Sequence, residues 1–254
     1  MGVIMNTFLQ RRLLTKSLAA VFGLSFLIPF TAAEARIRFN APTNIGVPGR
    51  RVPAGSRENN SCLSGNKKLT AIVPQSNIGL TTVAKPVFFF YIPPQTSNAT
   101  LELVVQDENK RFFKQTYKPS GKAGFVDLPL TATSLEVGKE YRWFLSVICD
   151  REKRSSDKVV RGAIKRIQPE PQLMAKIKNA TSQERVALYA QAGIWQDSLA
   201  TLAQLRFSRP HDAQLKADWE TLLTAEGVGL DPELVNEPLL KGQEAPQPIA
   251  RYKN

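Results

Sequence analysis

The chain has 254 residues, a formal net charge of +12, 43% hydrophobic residues, two cysteines and one histidine. That apolar share is ordinary for a folded protein and excludes wholesale disorder, while a lone His211 with two distant cysteines makes a poor zinc set. The basic excess points to an anionic partner or to a surface kept soluble by charge, and the compartment decides which anions are at hand.

The compartment is read from the N-terminus. Arg11, Arg12 and Lys16 form a basic region, residues 18–30 form an apolar core, and Ala33-Glu34-Ala35 supplies a small-x-small cleavage site. The apolar run is too short to span a bilayer core of about 30 Å. Residues 1–35 are therefore expected to be an export signal, with the mature chain beginning at Arg36 in the periplasm or outside the cell. Arg11 and Arg12 also admit a twin-arginine route. No cysteine lies at the cleavage site to carry a lipid anchor, and no second apolar run of spanning length follows. Loss of Arg11, Arg12, Lys16 and Glu34 with the signal leaves a net charge of +10. For an exported protein the expected partners are an envelope protein or an anionic glycan, not nucleic acid.

Residues 36–66 are rich in Pro, Gly, Arg and Asn and carry no helical period, which predicts an extended lead-in. Between 67 and 168 the pattern becomes short β segments at 69–73, 87–92, 101–106, 111–117, 123–128, 141–149 and 159–167, each bounded by turn residues. Leu101, Leu103 and Val105 alternate with Glu102 and Gln106, and Asp107-Glu108-Asn109-Lys110 predicts a hairpin turn. About seven such strands argue for a sandwich. The stretch from Leu135 to Tyr141 resembles a tyrosine corner, which favours an immunoglobulin or fibronectin-like arrangement, and Tyr141, Trp143, Leu145, Val147 and Cys149 share one face by period two. Cys62 and Cys149 are expected to form a disulfide that clips the lead-in to the sandwich rim. On the chain-entropy account, closing so long a loop stabilises the fold by ~4 kcal/mol.

Pro169 and Pro171 mark a boundary, and residues 172–227 turn helical. Gly193, Trp195, Ser198 and Pro210 fall at the spacings of a tetratricopeptide repeat, in a single copy that must bury its face on the β domain or on a neighbouring helix. Asp212 is expected to cap a helix carrying Leu215, Trp219, Leu222 and Leu223. Residues 228–254 are read as a tail, mobile beyond Leu240. The predicted class is thus α+β: an N-terminal immunoglobulin or fibronectin-like sandwich followed by a C-terminal helical hairpin region.

The whole mature chain also resembles a known family. Gly46-Val47-Pro48-Gly49-Arg50-Arg51 followed by Gly55-Ser56-Arg57, then Leu69 to Pro74, Phe89-Phe90-Tyr91-Ile92-Pro93, Tyr141-Arg142-Trp143 leading to Cys149-Asp150, and Gly193-Ile194-Trp195-Gln196-Asp197 leading to Leu205-Arg206 and Pro210, resemble in order and spacing the cyanobacterial domain of unknown function 928. The resemblance implies an exported cyanobacterial protein without an assigned activity or known catalytic residues.

Little in the chain points to catalysis. His211 follows Pro210 at a helix start and reads as a surface or capping residue, with no nucleophile-elbow motif to meet it. Asp107 and Glu108 read as turn formers; Asp127 and Asp150, each ending a strand, are the best pair for carboxylate-dependent glycan hydrolysis. Phe88, Phe89, Phe90 and Tyr91 form either a sugar-stacking run or, more simply, a strand buried on both faces. Arg151, Lys153, Arg154, Arg161 and Lys165 form a candidate cationic binding surface, or else the charged guard of an exposed edge strand. Arg50, Arg51 and Arg57 carry the same ambiguity. No cofactor or metal site is expected. The function expected is that of a non-catalytic envelope protein that binds another envelope component, with anionic-glycan binding as the alternative and glycan hydrolysis behind it.

Overall fold

A computed structural model describes residues 2, 37–53, 62–95 and 99–244. The expected signal at 1–35 lies outside these residues, apart from Gly2, as do Arg57 and the last residues of the tail.

Among the described residues ten strands form two sheets. β1 (Thr70–Ala71), β3 (Val87–Ile92), β6 (Gly124–Pro129) and β9 (Leu239–Lys241) make a four-stranded sheet in the order β1-β3-β6-β9. β2 (Ile78–Thr81), β4 (Thr100–Gln106), β5 (Phe112–Lys118), β7 (Glu140–Ile148), β8 (Lys158–Arg166) and β10 (Gln243–Glu244) make a six-stranded sheet in the order β10-β5-β4-β7-β8-β2. All pairs are antiparallel except β2 with β8 and β6 with β9. Five helices complete the mixed α and β fold: α1 (Pro171–Asn179), α2 (Ser182–Gln191), α3 (Trp195–Ser208), α4 (Ala213–Thr224) and α5 (Pro232–Val235).

Period-two alternation sorts side chains into two cores. Phe88, Phe90, Val126 and Leu128 of the four-stranded sheet meet Leu101, Leu103, Val105, Tyr141, Trp143, Leu145, Val147, Val160 and Ile164 of the six-stranded sheet. Trp143 sits among them, edge-on to Phe88 and Phe90. Its indole ring covers Gly162 across the strand pair, where a Cβ would lie 2.5 Å from the ring, so glycine is the residue that admits it. The other face of the four-stranded sheet, through Ile72, Phe89, Tyr91 and Phe125, packs against α2, α3, α4 and α5. The aromatic run 88–91 is therefore core on both faces of one strand.

Local chemistry sets the turns. The Glu136 N–H donates to the Tyr141 hydroxyl at 3.0 Å across a turn whose Gly138 has φ +84°. Thr181 and Glu184 form a reciprocal capping box on α2, and Asp212 accepts from the Gln214 and Leu215 amides at the start of α4. Gly193, at φ +72°, turns the chain between α2 and α3. Ser198 donates to the Val186 carbonyl at 2.9 Å, holding those helices close. Trp195 points to the four-stranded sheet, its indole N–H donating to the Ile72 carbonyl at 3.0 Å and its ring edge-on to Phe39. Pro210 lies exposed just past α3.

The helices bury their face on the β domain, as a single hairpin must: all described elements fall in one compact unit, and the helices share a core with a sheet. Two expectations need correction. The lead-in is extended but structural, with Ile37 and Phe39 buried beneath the helices. The tail from 228 onward carries α5, β9 and β10, and its β strands join both sheets.

Candidate functional site

The inner face of the six-stranded sheet is filled, and its outer face is open in part, with Glu102, Ser146, Ile148 and Ala163 buried on it. Register places Lys114, Val104, Phe144 and Arg161 in one row across β5, β4, β7 and β8. Beside it run Phe112, Gln106, Arg142 and Ala163. Phe112 is 64% exposed, Val104 and Phe144 are half-buried, and Arg142 and Arg161 are exposed.

β8 is an interior strand, which overturns its reading as a charged edge guard. β2 covers it from Ala163 to Arg166. Further along, Arg50 of the lead-in pairs with Arg161 by two backbone bonds, Arg50 N–H to Arg161 O at 2.8 Å and Arg161 N–H to Arg50 O at 3.0 Å. Gly49 makes this approach possible, since a Cβ there would lie 2.5 Å from that of Asn77. Arg51 faces elsewhere and donates through Nη1 to the Val228 carbonyl at 2.7 Å. Burial lowers its guanidinium pKa.

Directly opposed residues of an antiparallel pair project to the same side, so Arg50 and Arg161 stand next to each other on the outer face. Arg142 and Lys165 lie within one diagonal step, because Arg142 opposes Ala163 and Lys165 follows two residues later. Among the described residues no carboxylate pairs with Arg50, Arg142, Arg161 or Lys165. Glu140 opposes Lys165 without closing an ion pair.

The remaining predicted cations behave differently. Arg154 is engaged: it bridges Glu102 at 2.9 Å and Asp157 at 2.7 Å. Lys114 reaches the other oxygen of Glu102 at 2.9 Å. Burial alone would raise the Glu102 pKa, but the hydrogen bonds from Lys114 and Arg154 hold it below the usual carboxylate range. Arg151 and Lys153 are exposed in the loop after β7. Arg154 thus belongs to a structural ion network, whereas Arg161 and Lys165 stay available. Sequence reading missed Arg142, Phe144 and the pairing of Arg50. Arg142 and Phe144 could have been found, since they alternate with the core residues Tyr141 and Trp143 along one strand.

The candidate carboxylates are occupied locally. Asp107 accepts from the Arg111 amide and side chain, within the β4–β5 turn where Lys110 has φ +60°. Glu108 pairs with Lys139. Asp127 accepts from the Gly242 amide at 2.6 Å, yet burial pushes its pKa up. Asp150 accepts from the Glu152 amide at 2.9 Å. His211 is exposed. Among the described residues no three His, Cys, Asp or Glu side chains gather as a metal site would require. Cys62 and Cys149 form a disulfide with Cα atoms 5.1 Å apart. No described helix is long and apolar enough to cross a membrane.

Comparison with known proteins agrees on one point. The chain belongs to the family described as Domain of Unknown Function (DUF928), whose profile matches residues 52–239. No curated protein matches it.

Proposed function

We propose that this DUF928 protein is an exported, non-catalytic binding protein of the cell envelope, of cyanobacterial type, that holds an anionic component on the outer face of its six-stranded sheet. The observation carrying this reading is the group of cations Arg50, Arg142, Arg161 and Lys165, gathered on one surface without carboxylate partners among the described residues. Arg154 is held by Glu102 and Asp157, whereas these four cations stand where an external anion can reach them. Export is supported by the disulfide, which persists in oxidising compartments, and by the signal-like N-terminus. The Tyr141 corner favours an immunoglobulin or fibronectin-like reading of the sandwich. Gly193 and Ser198 favour a tetratricopeptide-like reading of the α2–α3 hairpin.

The test is retention of the full chain on immobilised polygalacturonate, dextran sulfate and neutral dextran at low and high salt. Retention on an anionic polymer, lost as salt rises and abolished by Arg142→Gln with Lys165→Gln, is expected. Passage through every anionic column at low salt would overturn the reading.

A further inference from the structure

The opposed arginines say more than that the surface is basic. Like charges directly opposite in a strand pair destabilise it. Here the pair is built with some care: Gly49 lets the lead-in close on Asn77, Asn77 O accepts the Ala163 amide at 2.8 Å, and Gly162 beside Arg161 lies under Trp143. The two Cα atoms of a doubly hydrogen-bonded pair lie about 5.5 Å apart, which suits two planar guanidinium groups closing on one oxyanion. Next to Arg161 in the same row stands half-buried Phe144, and beyond it half-buried Val104. With strands spaced about 4.8 Å apart, the row from Lys114 to Arg50 extends for about 19 Å. It thus offers an oxyanion clamp, an aromatic ring and an apolar patch in line, with Arg50 joined to β8 by one doubly hydrogen-bonded bridge.

Resting on the reading of this face as an anion-binding surface, we infer that Arg50 and Arg161 clamp the acidic group of an acidic polysaccharide while the Phe144 ring carries the adjoining sugar. A sugar has an apolar face for an aromatic side chain, and its carboxylate or sulfate suits a pair of guanidiniums; a bare polyanion would use only the charge. The preference for a saccharide comes from Phe144 and Val104, and the preference for arginine over lysine comes from the paired geometry.

The experiment measures affinity of the full chain for polygalacturonate, dextran sulfate and inorganic polyphosphate at one salt concentration. Wild type is compared with Arg50→Gln, Arg161→Lys and Phe144→Leu, and melting temperature serves as the check on folding. Arg50→Gln and Arg161→Lys are each expected to weaken the preferred sugar polymer about tenfold, the second without changing net charge. Phe144→Leu is expected to weaken it several-fold and to leave polyphosphate unchanged. Binding to polygalacturonate alone assigns the clamp to carboxylate, and to dextran sulfate alone assigns it to sulfate. If Arg161→Lys binds like wild type, or Phe144→Leu changes sugar and polyphosphate affinity alike, the clamp is wrong while anion binding stands. If none of the three polymers binds, both readings fall. Should Phe144→Leu lower the melting temperature markedly, Phe144→Tyr, which keeps the ring, is expected to restore the sugar affinity, and its failure to do so counts against the aromatic contact.

Discussion

Asp197 joins helix to sheet through a single carboxylate. It sits in the first turn of α3, is 6% exposed, and accepts from the Thr81 hydroxyl at 2.5 Å, the Thr82 amide at 2.9 Å and the Thr82 hydroxyl. Burial pushes its pKa above the ordinary carboxylate range, against the pull of those three donors. A raised folded pKa means that the native state holds the proton more tightly than the unfolded chain does. Stability linked to Asp197 therefore rises as pH falls through the folded pKa, and this gain is complete below the ordinary unfolded value. Glu102, Asp107 and Glu184 have lowered values and act the opposite way under acid, so the Asp197 contribution must be read as a difference. Asp197→Ala leaves buried donors unpaired and is expected to cost about 1–3 kcal/mol in denaturant unfolding. Asp197→Asn, which keeps an acceptor, is expected to cost less. The stability gap between wild type and Asp197→Asn is expected to shift in favour of wild type as pH is lowered from neutral toward the ordinary carboxylate range; a pH-independent gap would count against the raised pKa.

At the scale of elements, the strands with clear alternation were legible and the ones made by distant pairing were not. Residues 101–106 and 141–149 announce themselves because every second side chain belongs to one core. β2 has only four residues, one of them Gly79, and is a strand because β8 receives it in parallel. β9 and β10 are shorter still, and the chain reaches them far from their partners β6 and β5. No local period could signal either. The candidate site failed for the same reason: Arg161 and Lys165 were visible as a pair on one face, but the arrival of Arg50 depends on a single bridge of the lead-in. The tail segment is nonetheless integral. Leu239 packs on the helical core, Leu240 packs on the sandwich core, and the Gly242 amide reaches Asp127. Gly124 allows that approach, since a Cβ there would lie 2.5 Å from the Pro238 carbonyl oxygen. Ending the chain after Pro238 is expected to destabilise it by about 2 kcal/mol, the burial of two partly covered leucines. Urea unfolding would measure it, and an unchanged midpoint would show the segment to be dispensable.

For the molecule as a whole, charge and stability pull in different directions. A net charge of +12 over the full chain repels itself, and the described ion pairs involve only some of its cations. Arg50 and Arg161 concentrate the repulsion where two backbones must meet, beside Arg142 and Lys165. If the cluster exists to bind an anion, the unliganded protein carries its cost and the bound anion relieves it. Screening by salt should relieve it in part as well, because exposed charges interact over a Debye length of about 10 Å at 0.1 M. The melting temperature is therefore expected to rise between 20 mM and 200 mM potassium chloride. Replacing both Arg50 and Arg161 by Gln is expected to raise the low-salt melting temperature by about 1–3 °C and to shrink the increase produced by salt. The same double variant should lose binding to the acidic polymer, so that one change stabilises the free protein and disables the surface. A double variant that melts lower than wild type at low salt would mean that the arginines hold the lead-in through their side chains, and the pair would then be read as structural.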